Sequence, residues 1–365
     1  MAMIKFEISP FDVLFFGDGR PFNMGGVARS MALPMPHTIA GAITSKLKAM
    51  KVDGDLNRSV SAIYGPFLQR GNNLYLPKPA NVLKQRKGKI WKSVSVPTAG
   101  FNLIGVENTN IRDVKVLPFY IGKDRVEGGY GFISLESLRE FIKNGMAFNT
   151  HMDVQGIDQF VLDEPRVGIS ISKDGTVGED GLYRVWFKRP KDDVKLVVWV
   201  KFRGDLEGNI MEAISETGVL KLGGESRVAH YVRREDSFLN LFKGFPKCGK
   251  GKVKCNLMFL TPGVLGDWNP FGPVYSASVS GYINVPINLS DHPLRHTVER
   301  AIPPGSIFWG VELNLPEETN VGFLNRNNGD LQMVQGFKDF TPFIGSNLAL
   351  IWPYQDEKKE GKDAK

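Results

Sequence analysis

The stretch of sequence that decides the fold lies between residues 4 and 50. It opens with IKFEISPFDVLFF at residues 4–16, an apolar segment broken by Pro10, and it ends with HTIAGAITSKLKAM at residues 37–50. The first segment predicts an extended strand. The second has apolar residues at spacings of one helical face: Ile39, Ile43, Leu47 and Met50. With Thr38 as the predicted N-cap, a strand is followed by an amphipathic helix.

Further along the chain, one more strong helix signal is followed by a region of strands. Ser134 is the predicted N-cap of a helix over residues 135–144, which Gly145 ends. A shorter helix is predicted over residues 210–216. The predicted strands are 182–189, 194–202, 255–260, 281–287, 306–313 and 348–352. The connector at residues 190–193 predicts that the first two of these strands form a hairpin.

The order strand, helix, strand pair, helix, strand is typical of an α+β ferredoxin-like (RRM-like) unit. A length of 365 residues fits two such units. We therefore predict two ferredoxin-like domains with antiparallel sheets and inserted basic loops or hairpins, at residues 1–160 and 161–355. Residues 356–365 alternate in charge and are predicted to be a disordered charged tail.

Composition indicates a globular chain, with 42% hydrophobic and 23% charged residues and a net charge of +7. The charge permits nucleic acid or an acidic partner. Two stretches without acidic residues are predicted to be basic loops or hairpin arms, residues 78–92 and 243–254. No apolar run is long enough to span a membrane. With only Cys248 and Cys255, and a first strand in place of a signal peptide, the expected compartment is the cytoplasm.

Common catalytic and metal-binding patterns do not fit. There is no phosphate loop, and the glycines at residues 128–131 lack the spacing of a dinucleotide fingerprint. His292 and His296 lie four residues apart, but no third ligand is evident. The sequence therefore predicts neither a metal nor a cofactor.

Several short segments, in this order, resemble RAMP proteins (repeat-associated mysterious proteins), the RNA-binding subunits of CRISPR systems. They are FGDGRPF at residues 16–22, LPMPHTIAGAI at 33–43, EPRVGI at 164–169 with GLY at 181–183, LGGESR at 222–227 and RAIPPGS at 300–306. Their spacing resembles the subunit of the type III-B (Cmr-type) effector that caps the 5′ tag of crRNA. One departure is the C-terminal loop, which keeps only Gly336 and Gly345 of a glycine-rich pattern.

The resemblance implies an RNA-binding site. Glycines let backbone N–H groups approach phosphates, arginines bind phosphates or base edges with two hydrogen bonds, and a helix N-terminus favours anions. The candidate residues are Arg20, Gly25, Gly26, Arg29, His37, Thr38, Lys46, Arg166, Gly223, Gly224 and Arg227. The structural alternative is an ion pair, Arg20 with Asp18 or Arg227 with Glu225. The prediction requires the loop after the first strand and the Gly223–Gly224 turn to share one surface.

The implied function is a non-catalytic crRNA-binding subunit of a type III-B complex in antiviral defence. Its partners would be the crRNA 5′ tag, the large polymerase-like subunit and a backbone RAMP subunit. One alternative is a metal-independent RAMP endoribonuclease that processes crRNA with His37 as general acid/base. Another is an α+β protein whose basic loops bind acidic proteins and no RNA.

Overall fold

The structure is a computed structural model. It describes residues 3–20, 26–56, 59–85, 91–93, 125–171, 177–266, 270–286, 298–327, 330–335 and 343–354.

Its α-helices are α1 (Pro36–Ala49), α2 (Leu135–Lys143) and α3 (Glu207–Ala213). Its strands are β1 (Met3–Pro10), β2 (Val27–Arg29), β3 (Val60–Arg70), β4 (Asn73–Pro77), β5 (Val82–Gln85), β6 (Trp91–Ser93), β7 (Val126–Glu127), β8 (Gly131–Ser134), β9 (Val154–Gly156), β10 (Val161–Ile171), β11 (Val177–Pro190), β12 (Val194–Phe202), β13 (Thr217–Lys221), β14 (Val228–Glu235), β15 (Gly251–Phe259), β16 (Ser276–Ser278), β17 (Ile283–Pro286), β18 (Val298–Ala301), β19 (Ile307–Leu315), β20 (Val321–Asn327), β21 (Asp330–Val334) and β22 (Leu348–Pro353). Described residues contain no helix that could cross a membrane.

Helix α1 confirms the predicted apolar face but begins earlier than predicted. Ile39, Ile43 and Leu47 are fully buried, whereas Met50 lies at the C-cap and is exposed. The helix starts at Pro36, so Thr38 is not the N-cap: the extended residue Met35 takes that position without a side-chain cap. Proline is favoured in the first turn because its missing N–H would have no partner there and its φ is already helical.

The two other helices also follow local sequence, with different accuracy. The Ser134 hydroxyl accepts a hydrogen bond from the Ser137 N–H at 3.3 Å, which confirms the predicted cap of α2. Helix α3 begins three residues before the predicted start. A turn in which the Leu206 N–H donates to the Arg203 carbonyl provides the helical geometry before Glu207.

An eight-stranded sheet is the central layer, with strand order β13-β14-β1-β12-β3-β4-β8-β9. Within it, β1–α1–β3 and β12–α3–β14 give the antiparallel order β14-β1-β12-β3, the arrangement of a ferredoxin-like unit. Its helices α1 and α3 pack on one face of the sheet. Strands on both sides of residue 160 share this sheet, so a boundary there would cut it, and the division into domains stays a prediction.

The predicted hairpin of residues 182–189 and 194–202 is wrong, although both strands exist. β11 pairs with β10 and β2, whereas β12 pairs with β1 and β3. A turn closed by the Val194 N–H and the Lys191 carbonyl leads from one sheet to the other. The reason is that β12 is a central strand. Its residues 196–200 are all buried, and β1 and β3 already occupy its two edges, so no edge is left for β11.

The other face of the central sheet packs against a closed five-stranded barrel. The barrel order is β15-β22-β20-β21-β19, and β19 pairs again with β15 to close it. Side chains of the barrel and of α2 share a core with β3 and β12. The four strands predicted after residue 250 are present, but the described part of residues 251–354 contains no α-helix. A second ferredoxin-like domain is therefore not confirmed, and the chain is mostly β-structure.

Glu7 on β1 is an almost buried carboxylate at the edge of this core. It accepts hydrogen bonds from Lys5 and Lys195, both at 2.9 Å. Burial raises its pKa, but the two lysines outweigh that effect and lower the pKa to about 2. Glu7 is therefore ionised at neutral pH.

The two basic stretches differ from each other. In the first stretch β5 pairs with β6 and with β7 in a small antiparallel sheet. Lys78 is not part of an exposed surface: it is buried, donates to the carbonyls of Pro79 and Val82, and burial lowers its pKa to about 8. Arg86, Lys87 and Lys89 lie outside the described residues, as do residues 356–365. In the second stretch all five lysines are exposed: Lys243, Lys247, Lys250, Lys252 and Lys254.

Candidate nucleic-acid interface

The loop after β1 and the paired-glycine turn meet, as the sequence predicted. The Gly224 N–H donates to the Phe15 carbonyl at 2.8 Å. Gly223 has a φ of +82°, and a Cβ built there would lie 2.6 Å from the same carbonyl oxygen. Only glycine fits this position, because a side chain would be strained in φ and would overlap a backbone atom. The two motifs therefore form one continuous surface.

Three arginines converge beside this contact, two of them among the predicted site residues. Asp12 accepts a hydrogen bond from Arg166 at 3.0 Å and from Arg189 at 2.8 Å, and it lies 3.4 Å from Arg227. Arg166 and Arg189 are also paired with Glu164. Burial raises the pKa of Asp12, but hydrogen bonds from Arg166 and Arg189 outweigh it and lower the pKa. Each guanidinium is thus already held by a carboxylate.

Arg227 shows the structural alternative that the sequence left open. Its guanidinium lies 3.4 Å from the Glu225 carboxylate and stacks on the Phe187 ring at 4.7 Å. Arg166 lies over the same ring at 5.3 Å. Three guanidiniums and the carboxylates of Asp12, Glu164 and Glu225 form a balanced network, which we call the Asp12 network. An incoming phosphate would have to compete with these carboxylates.

Two more predicted arginines lie in the loop between β1 and β2 and on β2 itself. Arg20 is 70% exposed and makes a 3.3 Å ion pair with Asp18. Arg29 is exposed on β2. The carbonyl of Gly26 accepts a hydrogen bond from the Arg184 N–H, so this glycine belongs to the edge of β11. Gly25 lies outside the described residues.

At the start of α1, His37 is half-buried. Its ring donates a hydrogen bond to the Pro286 carbonyl, and no described residue is hydrogen-bonded to its buried Nδ1. Burial lowers the pKa of His37 to about 4, an effect that the bond to Pro286 only partly offsets. Thr38 follows inside the first turn. Lys46 lies in the last turn, roughly 15 Å along the helix axis from Pro36, and does not reach this end of the helix.

A cleft of about 450 Å³ lies next to the Arg20 loop. Its lining includes Asp18 and Arg20, the prolines at residues 34, 36, 66, 77, 262 and 304, and two tyrosines that are about half exposed, Tyr130 and Tyr282. The loop reaches the paired strands β17 and β18 at Gly19, which has a φ of +76° and lies against Val298 and Pro286.

Comparison with known proteins identifies the family. Residues 6–353 match the model of a family described as CRISPR-associated protein (Cas_Cmr3). The chain belongs to this family. The ordered sequence motifs resemble those of RAMP subunits of type III CRISPR effectors, and family membership confirms this resemblance. No curated protein sequence matches this Cas_Cmr3 chain.

Two of the solved structures that the chain is similar to are of type III CRISPR complexes. One is a chain in a cryo-EM structure of the type III-B Cmr-beta complex bound to cognate target RNA and AMPPnP, 18% identical over 84% of this chain and 86% of that chain, with a TM-score of 0.48. Another is a chain of a Csm3-Csm4 subcomplex from a type III-A interference complex, 10% identical over 85% of this chain and 93% of that chain, with a TM-score of 0.39. At these scores no residue role is transferred.

In this Cas_Cmr3 chain the predicted site residues fall into separate places. Gly223, Gly224, Arg166 and Arg227 lie together near Phe15 and the Asp12 network. His37 and Thr38 lie at the other end of the loop region, at the start of α1, with Arg20 in the cleft nearby. Lys46 stands apart.

Sequence reasoning missed the aromatic rim of the cleft. Tyr130 belongs to the glycine-rich segment at residues 128–131, whose spacing does not fit a dinucleotide fingerprint, and Tyr282 belongs to the strand predicted over residues 281–287. Arg300, the first residue of the last resembling segment, lies over the Tyr282 ring at 4.9 Å. An exposed tyrosine beside glycine was the available signal, but nothing in the sequence links residues 130 and 282.

Metal binding has no support in the described residues, which contain no cluster of His, Cys, Asp and Glu that could hold an ion. His292 and His296 lie outside them. Cys248 and Cys255 are buried thiols, and a hydrogen bond with Cys248, together with burial, raises the pKa of Cys255.

Proposed function

We propose that this chain is a non-catalytic crRNA-binding subunit of a type III-B CRISPR complex, which holds the 5′ tag of crRNA and bridges the large polymerase-like subunit to the backbone subunits. The observation that carries the proposal is the contact between the loop after β1 and the Gly223–Gly224 turn. It joins the glycine and arginine motifs, which lie some 200 residues apart, on one surface. Family membership supports the same assembly.

The chemistry of the surface favours binding over cleavage. A general base works best with a pKa near the working pH, whereas burial keeps the pKa of His37 at about 4. The hydrogen bond to Pro286 further ties its ring to the protein. We expect His37→Ala to leave the length of the bound RNA unchanged. Loss of a cleavage product in this variant, with RNA binding intact, would establish the endoribonuclease alternative instead.

The test begins with the RNA that the chain carries. The tagged chain is purified with its partner subunits from its native host, and the bound RNA is sequenced. Short RNAs that share a 5′ segment support the proposal. Partner subunits recovered without RNA would refute it and favour a protein that binds only acidic partners.

The Asp12 network provides a second, residue-level test. Asp12→Asn removes a carboxylate that competes with phosphate for Arg166 and Arg227, so we expect tighter binding of the co-purified RNA. Asp205→Asn is the matched control, because it makes the same charge change at the Arg203–Asp205 ion pair. Equal affinity changes in the two variants would show that the arginines of the network do not contact RNA.

A further inference from the structure

The second basic stretch, residues 243–254, presents its lysines from an anchored backbone. Phe245 and Cys248 are buried, although their neighbours are exposed. The Cys248 backbone exchanges two hydrogen bonds with that of Thr319, at 2.9 and 3.2 Å. The end of the stretch belongs to β15, which pairs with β19 in the barrel. The exposed lysines therefore lie on a segment that the fold holds in place at both ends and in between.

Most of these lysines are not engaged by a carboxylate. Within the part of the chain that the structure describes, four of them have no ion pair: Lys243, Lys247, Lys250 and Lys252. Three exposed carboxylates lie nearby, since Glu312 is directly opposite Lys254 on β19 and Glu317 and Glu318 precede Thr319. The arginines of the Asp12 network are already held by carboxylates, whereas an anion can reach these four lysines without displacing one.

Glycines between the lysines leave the backbone open as well. A Cβ built at Gly244, Gly249 or Gly251 would meet no atom within 4 Å. The N–H groups of Gly249 and Lys250 donate to no described residue. Because no side chain covers the glycines, an anion can approach these N–H groups closely. Lysine side chains and backbone N–H groups are the donors that proteins use on phosphate oxygens.

Composition favours a nucleic acid over a protein as the ligand of this surface. Interfaces between proteins are depleted in lysine and have a core rich in aromatic and apolar side chains. The second basic stretch exposes five lysines and no large hydrophobic residue. Contacts to a phosphate backbone need cations and no apolar core. The surface therefore fits a polymer of phosphates better than an acidic protein.

We infer that the second basic stretch binds the sugar–phosphate backbone of single-stranded RNA, without regard to base sequence. The inference rests on the function proposed above, because it adds a second contact for the RNA that such a subunit carries. It shares no residue with the Asp12 network and differs from it in chemistry, since free lysines release counterions when they bind phosphates. The groups that form it are the side chains of Lys243, Lys247, Lys250 and Lys252 and the backbone at Gly249.

The first part of the test removes charge from the full chain. One variant combines Lys250→Gln and Lys252→Gln. The matched control combines Lys51→Gln and Lys143→Gln, which make the same charge change at two exposed lysines just after α1 and at the end of α2. The probe is a fluorescein-labelled oligouridylate, titrated by fluorescence anisotropy over a series of salt concentrations. Thermal melting verifies that each variant is folded.

The second part tests the close approach of phosphate to the backbone. Gly249→Ala adds a Cβ where the fold has room, so the variant should fold normally. Gly208→Ala is its control, because a Cβ at this glycine of α3 also meets no atom within 4 Å. We expect Gly249→Ala to weaken binding of the oligouridylate by about 2- to 10-fold, the equivalent of one hydrogen bond, and Gly208→Ala to leave it unchanged.

We expect the Lys250 and Lys252 double variant to bind about 10- to 30-fold more weakly at 0.1 M salt, and its slope of log K against log salt to be shallower by about 1.4, since each phosphate contact contributes about 0.7. Equal affinity of this variant and its control would overturn the inference, as would equal affinity of the two glycine variants or a wild-type chain that does not bind the probe. RNA recovered with the chain from its native host would still decide the proposed function independently. Loss of partner subunits from the lysine variant, with unchanged RNA affinity, would also overturn the inference and identify the stretch as a contact for an acidic protein.

Discussion

Gly223 is the position where the proposed RNA surface and the stability of the fold meet most directly. Its φ of +82° is costly for any residue with a side chain, by roughly 1–2 kcal/mol. A Cβ would also lie 2.6 Å from the Phe15 carbonyl, well inside van der Waals contact. Displacing this backbone oxygen adds an overpacking cost of about 1–3 kcal/mol. We expect Gly223→Ala to destabilise the chain by about 2–5 kcal/mol.

A second glycine separates the two costs. Gly244 has a φ of +88°, close to that of Gly223, but a Cβ there has no atom within 4 Å. Gly244→Ala therefore measures the backbone term alone, and the difference between the two variants measures the contact with Phe15. Urea unfolding, followed by tryptophan fluorescence and by circular dichroism, gives both values.

RNA binding by the same two variants tests function. If the turn at Gly223 approaches RNA, Gly223→Ala weakens RNA binding under conditions in which both variants are folded, whereas Gly244→Ala does not. Equal loss of stability in the two variants would refute the close packing of the turn on the β1 loop. Equal RNA affinity would refute its role in binding.

Three further predictions concern buried ionisable groups. Glu7→Gln should cost about 2 kcal/mol at neutral pH, and the loss should disappear as the pH falls from 4.5 towards 2, because the depressed pKa stabilises the fold fully above the unfolded pKa and this stabilisation is lost as the folded carboxyl becomes protonated; urea unfolding across this range measures it, and a loss that persists at pH 2 would contradict it. Between pH 8 and 10.5 the unfolded chain binds more protons at Lys78 than the folded chain does. The free energy of unfolding of the wild type should therefore rise by up to about 3 kcal/mol relative to that of Lys78→Met over this window. Parallel curves of unfolding free energy against pH for the two proteins would argue against a buried amine. Cys248 and Cys255 should resist iodoacetamide in the native chain and react after unfolding, as mass spectrometry would show, and rapid native labelling would contradict their burial.

Local sequence predicted the elements better than it predicted their partners. The apolar spacing of Ile39, Ile43 and Leu47 and the Ser134 cap depend on neighbours within a few residues, and both were confirmed. The pairing of β11 and β12 failed because their short connector resembles a hairpin turn, whereas the choice of partner depends on burial across the whole sheet. The closure of the barrel is equally non-local, since β15 and β19 pair across about 50 residues.

The same distinction applies to the candidate site. Gly223 and the loop after β1 were expected on one surface, since a glycine pair and an arginine-bearing loop each suit RNA. The cleft was not predicted because Arg20, Tyr130 and Tyr282 come from three separate segments that only the fold brings together. Pairing of Arg166 with Asp12 was equally hidden, because an acidic residue more than 150 positions away has no signature in the sequence.

The Asp12 network also determines how RNA binding should respond to salt. A protein that neutralises phosphates with free lysines releases counterions, and the slope of log K against log salt is about −0.7 for each phosphate of a single strand. When a phosphate replaces Asp12 at Arg166 or Arg227, the arginine exchanges one anion for another, and that contact adds less to the slope. A shallow slope with tight binding would place the affinity in exchange at the network. A steep slope would instead place it in the exposed lysines of the second basic stretch, such as Lys252.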